Sequence, residues 1–377
     1  MRFAIHLAAL SLGLAVLPAQ ADINIGVTLS ATGPAASLGI PEKNTFALLP
    51  AQVAGEKINY IILDDATDPS QATKNARKLT SEDKVDVIIG SSSTPAAAAV
   101  AEVANETKTA QVSMSPVALP ESRNAWVFRV PQQNSLMARA LVEHMQARGV
   151  KSLGFIGYSD AYGEDWLKST TVLAEAAGIK LSAVERYNRT DTSVTGQVLK
   201  IVGAKPDAVL VVGSGTPAAL PHVALVERGF KGQIYQTHAV VNPEFLKIGG
   251  KAIEGGILPV GPVSVAAQLP DTHASKKIAV DYVKRYEEKY GAGSFSSFGA
   301  YALDAFRLIE RAIPTALKKA KPGTAEFRQA LRDAIESERD IVGAHGVFNM
   351  SAADHFGLDQ RARVLVRIEN GTWKLVK

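Results

Sequence analysis

The chain has 377 residues, 46% of them hydrophobic and 21% charged, with 41 basic against 37 acidic side chains and no cysteine. Its length exceeds what one compact core serves and points to two domains. The small positive balance is spread without a basic block, which excludes a nucleic-acid partner, and the lack of cysteine excludes disulfides, a thiol nucleophile and a lipid-modified cysteine anchor.

At the N-terminus, Arg2 supplies a positive charge, residues 3–17 form an apolar run, and Pro18 leads into Ala19-Gln20-Ala21. That order predicts an export signal over residues 1–21, cleaved after Ala21, with the mature protein free in an exported compartment, which the family resemblance given below makes the periplasm. No later segment has the ~18 uninterrupted apolar residues of a membrane helix.

From Asp22 onward, β-rich runs alternate with helical spacing. Residues 23–30, 58–65 and 85–90 are short apolar runs that end in polar or glycine-bearing turns, which predicts buried strands. Residues 69–80 and 95–106 have helical spacing, each with a proline in the first turn, where its missing N–H costs nothing. Residues 111–115 make a fourth strand. This alternation predicts an α/β fold with parallel sheets flanked by helices. The pattern resumes with strands at 153–158, 181–187, 208–213 and 233–237 and helices at 162–177, 193–202 and 217–228. Helices at 275–290, 298–319 and 325–338 follow. Residues 346–349 and 363–377 close the chain, the latter as a hairpin turning at Asn370-Gly371. Gly261-Pro262 and residues 343–346 are the expected crossing points between the two units, because such residues punctuate elements and absorb hinge rotation.

Catalytic signatures are missing. The sequence has no phosphate loop, dinucleotide-binding turn or nucleophile elbow, and its seven histidines show no metal-ligand spacing. The expectation is a protein that is not an enzyme and uses neither cofactor nor metal. What the sequence offers instead is a polar turn at the C-terminal end of nearly every expected strand, where open parallel sheets bind ligands. The turn at Ser91, Ser92, Ser93 and Thr94 opens a helix whose unpaired N–H groups and dipole favour an anion. One cap needs one such residue, and four exceed it. Further turns carry Ser115, Tyr162, Gly215 and His238.

Taken in order, several stretches resemble the branched-chain amino-acid-binding family of periplasmic substrate-binding proteins. They are residues 32–39, Asp64-Asp65 with Asp68-Pro69, residues 90–94, Ser115-Pro116, residues 127–129 and Tyr162-Gly163-Glu164. The resemblance covers nearly all of the mature chain. It implies two Rossmann-like lobes of the type I periplasmic binding protein fold, joined by three crossing strands and closing on a ligand. The implied lobes are residues 22–138 with 262–345 and residues 139–261 with 346–377. The implied partners are a small organic acid and the membrane permease subunits of an ABC transporter, served by a monomer.

The resemblance also implies roles. Ser91, Ser92 and Ser93, followed by Thr94, match a carboxylate-binding turn. Ser115, Val117, Ala118 and Leu119 match a turn that holds amino and carboxylate groups, with Leu119 replacing a threonine. Tyr162 matches a ligand-contacting tyrosine. Asn134 and His238 stand where acids are usual, Leu38 where a large closing side chain sits, and Gly215 where a second tyrosine sits. An ammonium buried without an acceptor is very costly. These replacements therefore predict a carboxylate without an amino group, of the benzoate or hydroxycinnamate type, with Leu119, Gly215 and Leu38 leaving room for a flat ligand. The alternatives are an amino-acid-binding protein of the same transporter class and a ligand-sensing receptor subunit.

Overall fold

The computed structural model describes residues 22–376, so the expected export signal and its cleavage after Ala21 lie outside the described residues. Strand β1 (Ile23–Leu29) is an interior strand of the first sheet. Ile23, Ile25, Val27 and Leu29 are fully buried, and so is Thr28 between them, as expected of a parallel strand covered on both faces.

The first sheet has the order β2–β3–β1–β4–β5–β6, with β2 (Gln52–Val53), β3 (Glu56–Asp64), β4 (Val87–Ile89), β5 (Ala110–Ser113) and β6 (Val127–Arg129). All neighbours are parallel except the short edge strand β2. Helices α1 (Ala36–Phe46), α2 (Pro69–Ser81) and α3 (Thr94–Thr107) connect them. Asp68 caps α2 by accepting from the amides of Ser70 and Gln71, with Pro69 at the first helical position.

The second lobe runs through α4 (Asn134–Ala147), β7 (Ser152–Tyr158), α5 (Ala161–Ala176), β8 (Lys180–Tyr187), α6 (Thr195–Gly203), β9 (Ala208–Val212), α7 (Ala219–Glu227), β10 (Gln233–Gln236), α8 (Pro243–Gly249) and β11 (Ile257–Val260). The chain then forms α9 (Lys276–Tyr290), α10 (Ser297–Leu317) and α11 (Ala325–Ser337), the two-stranded ladder of β12 (Ile341–Val342) and β13 (Val347–Phe348), and the hairpin of β14 (Val364–Glu369) and β15 (Thr372–Leu375). Asn370 and Gly371 turn that hairpin, both with positive φ. The second sheet has the order β15–β14–β11–β10–β9–β7–β8, parallel except for the hairpin. Both sheets are thus mixed but dominated by parallel pairs.

Each sheet reverses its winding once, between β1 and β4 in the first and between β7 and β9 in the second. At those points the connections leave in opposite directions and open a crevice. In the first lobe the edges of the crevice touch where the Ser30 amide donates to Ser92 Oγ at 3.0 Å. In the second, Tyr158 donates to the Ser214 carbonyl at 3.0 Å.

The lobe boundaries differ from those expected. The break expected between residues 138 and 139 falls inside α4, an unbroken helix packed on α5 and β11. The chain crosses earlier, around Pro131 and Gln132. Residues 347–356, expected in the second lobe, stay on the first, because β13 pairs with β12 and the Arg129 amide donates to the His355 carbonyl at 2.9 Å. The crossings converge on Gln132. Its Nε2 donates to the Ala362 carbonyl at 2.8 Å, its Oε1 accepts from Tyr301 at 3.1 Å, and Gly261 lies so close that a Cβ there would strike His345 and Gln132.

Candidate functional site

The two crevices face one another across a cavity of about 330 Å³. The first lobe contributes Leu38 from α1, Ser92 to Thr94 at the start of α3, Met114 to Pro116 after β5, and Phe298 and Tyr301 from α10. The second contributes Tyr162 from α5, Arg189 after β8, Ser214 after β9, and His238 and Ala239 after β10, with Pro131 at the first crossing.

The serine turn divides its labour. Ser91 Oγ donates to Asp65 Oδ2 at 2.6 Å, beside bonds to the same carboxylate from Thr28 and Ser30. Ser92 donates to Glu42, a buried carboxyl whose desolvation pushes its pKa well above the usual range. Ser93 is different: it precedes α3, its hydroxyl caps nothing, and its buried Oγ has no partner. Thr94 and Ser115 hydroxyls bond each other at 2.7 Å. Pro95 has no N–H, so the free backbone donors of the first turn are the amides of Thr94 and Ala96.

Arg189 supplies the charge in the facing wall. Its Nε donates to Asp160 Oδ2 at 2.6 Å, its Nη1 donates to Ser214 Oγ at 2.7 Å, and its guanidinium lies over the Tyr158 ring at 4.2 Å. Asp160 also caps α5 through the Tyr162 and Gly163 amides, so one carboxylate fixes both the helix start and the arginine. The Tyr162 hydroxyl donates to Thr237 Oγ1 at 2.9 Å, and burial raises its pKa. His238 packs beside both Tyr162 and Trp166 with its Nδ1 unpartnered, and burial lowers its pKa to about 3, so it is neutral. No carboxylate lines this cavity among the described residues.

Of the residues singled out in the sequence, the cavity gathers Leu38, Ser92, Ser93, Thr94, Ser115, Tyr162 and His238. Ser91 lies behind the wall, bonded to Asp65. Val117 packs with Ala97, Ala101 and Val127. Ala118, Leu119 and Asn134 line a separate chamber on the far side of Pro116. Gly215 makes no room for a ligand, because Ser37 and Leu38 of the opposite lobe fill the space beside it. Arg189, Ser214, Phe298 and Tyr301 were missed. A basic residue just beyond a strand end, with Asn188 and Asp191 marking a turn, was the one available signal for Arg189.

The profile of the periplasmic binding protein family matches residues 22–372. An extracellular ligand-binding receptor from Rhodopseudomonas palustris HaA2 is 46% identical, with a TM-score of 0.93, over 95% of this chain and 100% of that one. The Leu/Ile/Val-binding protein BraC3 of Rhizobium johnstonii is 25% identical over 341 residues, 87% of either chain. A solute-binding protein of an R. palustris ABC transporter, solved in complex with benzoate, has a TM-score of 0.79 over 94% of this chain and 96% of that one. At 19% identity that last likeness is one of fold alone.

Proposed function

The chain belongs to the periplasmic binding protein family, the solute-binding components of ABC-type transporters, and on that premise we propose that its cleft takes a small aromatic carboxylate lacking an ammonium group. The observation that carries this reading is the charge of the lining. Arg189, the free Ser93 hydroxyl and Thr94 at the start of α3 line one cavity, and no acid lines it among the described residues. An anion gains charge-assisted hydrogen bonds in such a place. Leu38, Met114, Phe298 and Tyr301 supply apolar and aromatic faces for a ring. A binding protein of this kind passes its ligand to the membrane permease subunits of its transporter.

Branched-chain amino acids are the second reading, favoured by the names of the Leu/Ile/Val-binding relatives and by two unpartnered polar atoms in the lining, Ser93 Oγ and His238 Nδ1, each able to accept a hydrogen bond in one of its proton arrangements. Calorimetric titration of the mature protein separates the two. The expected result is binding of benzoate or 4-hydroxycinnamate, at least tenfold weaker binding of the matching amide, and none of leucine. Tight leucine binding with none of the aromatic acids would overturn the first reading in favour of the second.

A further inference from the structure

Pro116 stands between two cavities. Beyond it lies a chamber of about 690 Å³ whose lining includes Leu119, Arg129, Asp354 and Phe356 of the first lobe and Asn134 and Asp165 of the second. Both lobes build it, so closure completes it.

Its polar groups do not balance. Asn134 is 2% exposed, and its Nδ2 donates to Asp165 Oδ2 at 2.7 Å, while its Oδ1 finds no donor. An amide oxygen buried in this way has lost water and gained no protein partner. Asp165 and Asp354 have no ion-pair partner among the described residues. Asp354 Oδ1 accepts only from the amides of Phe356 and Gly357. Arg129, the one arginine or lysine in the lining among the described residues, is held on two of its three nitrogens. It is 1% exposed, its Nε donates to the Val117 carbonyl at 3.0 Å, and its Nη1 donates to the Val127 carbonyl at 2.8 Å and to Asn124. Phe356 covers its face at 5.1 Å. His355 faces the chamber too, but Glu336 holds its Nε2 at 2.9 Å.

One buried amide oxygen without a donor and two carboxylates outside any ion pair therefore meet one guanidinium, whose Nε and Nη1 are already held by oxygens of its own lobe. We propose that this chamber is a second ligand site, separate from the anion cleft, which takes a small organic ammonium ion between Asn134, Asp165 and Asp354. A metal ion is the poorer occupant, since no group of three His, Cys, Asp or Glu residues among those described could hold one. An ammonium needs only hydrogen-bond acceptors and a negative field, and its alkyl group finds Leu119 and Phe356. Burial holds the Asp165 carboxyl above its usual range against the pull of Asn134 and of Lys168 on the same helix. Binding therefore weakens on acidification as Asp165 takes up its proton.

The proposal does not depend on what the first cleft binds. The test is titration calorimetry on the full mature chain at low ionic strength, with n-butylammonium as probe and n-butanol as its neutral counterpart. Butylammonium is expected to bind one to one, with butanol at least tenfold weaker. Asp165→Asn, which keeps the shape, should weaken the amine tenfold or more, whereas Ser93→Ala, in the other cavity, should leave it unchanged. Asn134→Asp supplies a third carboxylate and should strengthen binding severalfold, so the idea is exposed to a gain as well as a loss. Circular dichroism checks that each variant is folded. No binding by the unaltered chain, equal binding of butanol, or indifference to Asp165→Asn in a folded variant would overturn the proposal, as would loss of the amine in Ser93→Ala.

Discussion

Arg189 reaches the cleft with two of its nitrogens already committed, one to Asp160 and one to Ser214, which fixes the plane of the guanidinium before any ligand arrives. That preorganisation is what a planar fork offers a carboxylate and a flexible ammonium does not. Charge-assisted hydrogen bonds contribute ~1.5–3 kcal/mol, so Arg189→Ala should weaken an aromatic acid by about 10- to 150-fold in calorimetry. Arg189→Lys should recover only part of the loss. His238→Glu places a carboxylate in the same cavity, and like-charge repulsion should weaken the anion as well. The unaltered His238 adds no positive charge, because burial lowers its pKa to about 3, as it does for His345 (about 3) and His222 (about 4). All three lie below the unfolded value near 6.5, so their stabilising effect is complete above that pH and is lost as pH falls towards 3 to 4. Asp304 has the opposite sign: burial raises it to about 7, so its contribution is present below ~3.8 and fades as pH rises through 7. Imidazole resonances followed by NMR from pH 8 to 5 should show these three histidines not titrating.

Helices α1 and α5 open the cleft side of their lobes, and each sits on the strand before it through a glycine. A Cβ at Gly39 would overlap the Ser30 carbonyl, and one at Gly163 would overlap the Tyr158 carbonyl. Backbone cannot give way as a side-chain tip can, so Gly39→Ala and Gly163→Ala should each cost ~1–3 kcal/mol in thermal or urea melts. Gly196 in α6 has nothing within 4 Å of such a Cβ, and Gly196→Ala should be neutral or stabilising by up to ~1 kcal/mol. The elements that the sequence made legible had strong local signals. Proline in the first turn announced α2 and α3, and Asn370-Gly371 marked the last hairpin. Those it hid lacked them. Helix α1 has no side-chain cap and carries Pro41 inside it, and α4 follows Gln133, which caps nothing. Strands β6 and β11, of three and four residues, are too short to declare a period. In the serine turn, residue type showed that the turn is polar. Only the positions of Asp65 and Glu42 decide that two serines face inward and Ser93 is left for the cleft.

Across the whole molecule, the lobes touch at a few polar points. Ser37 Oγ accepts from the Thr216 amide at 3.3 Å, and Ser297 Oγ donates to the Val241 carbonyl at 3.2 Å. Bonds this few favour a hinge that opens, and the convergence of the crossings on Gln132 gives the rotation one narrow pivot. Solution scattering should show a smaller radius of gyration with saturating ligand than without, and equal radii despite proven binding would count against closure. Gln132→Ala removes the tie between Tyr301 and Ala362 and should broaden the unliganded distribution of lobe distances measured by paired spin labels. The pivot and the enclosed cleft together have a kinetic corollary. A solute walled in by both lobes cannot leave until they part, so the parting rate is a ceiling on every dissociation rate. Ligands held well enough to outlast one opening attempt then differ in how many attempts they survive, and weaker ones all depart at the tempo of the hinge.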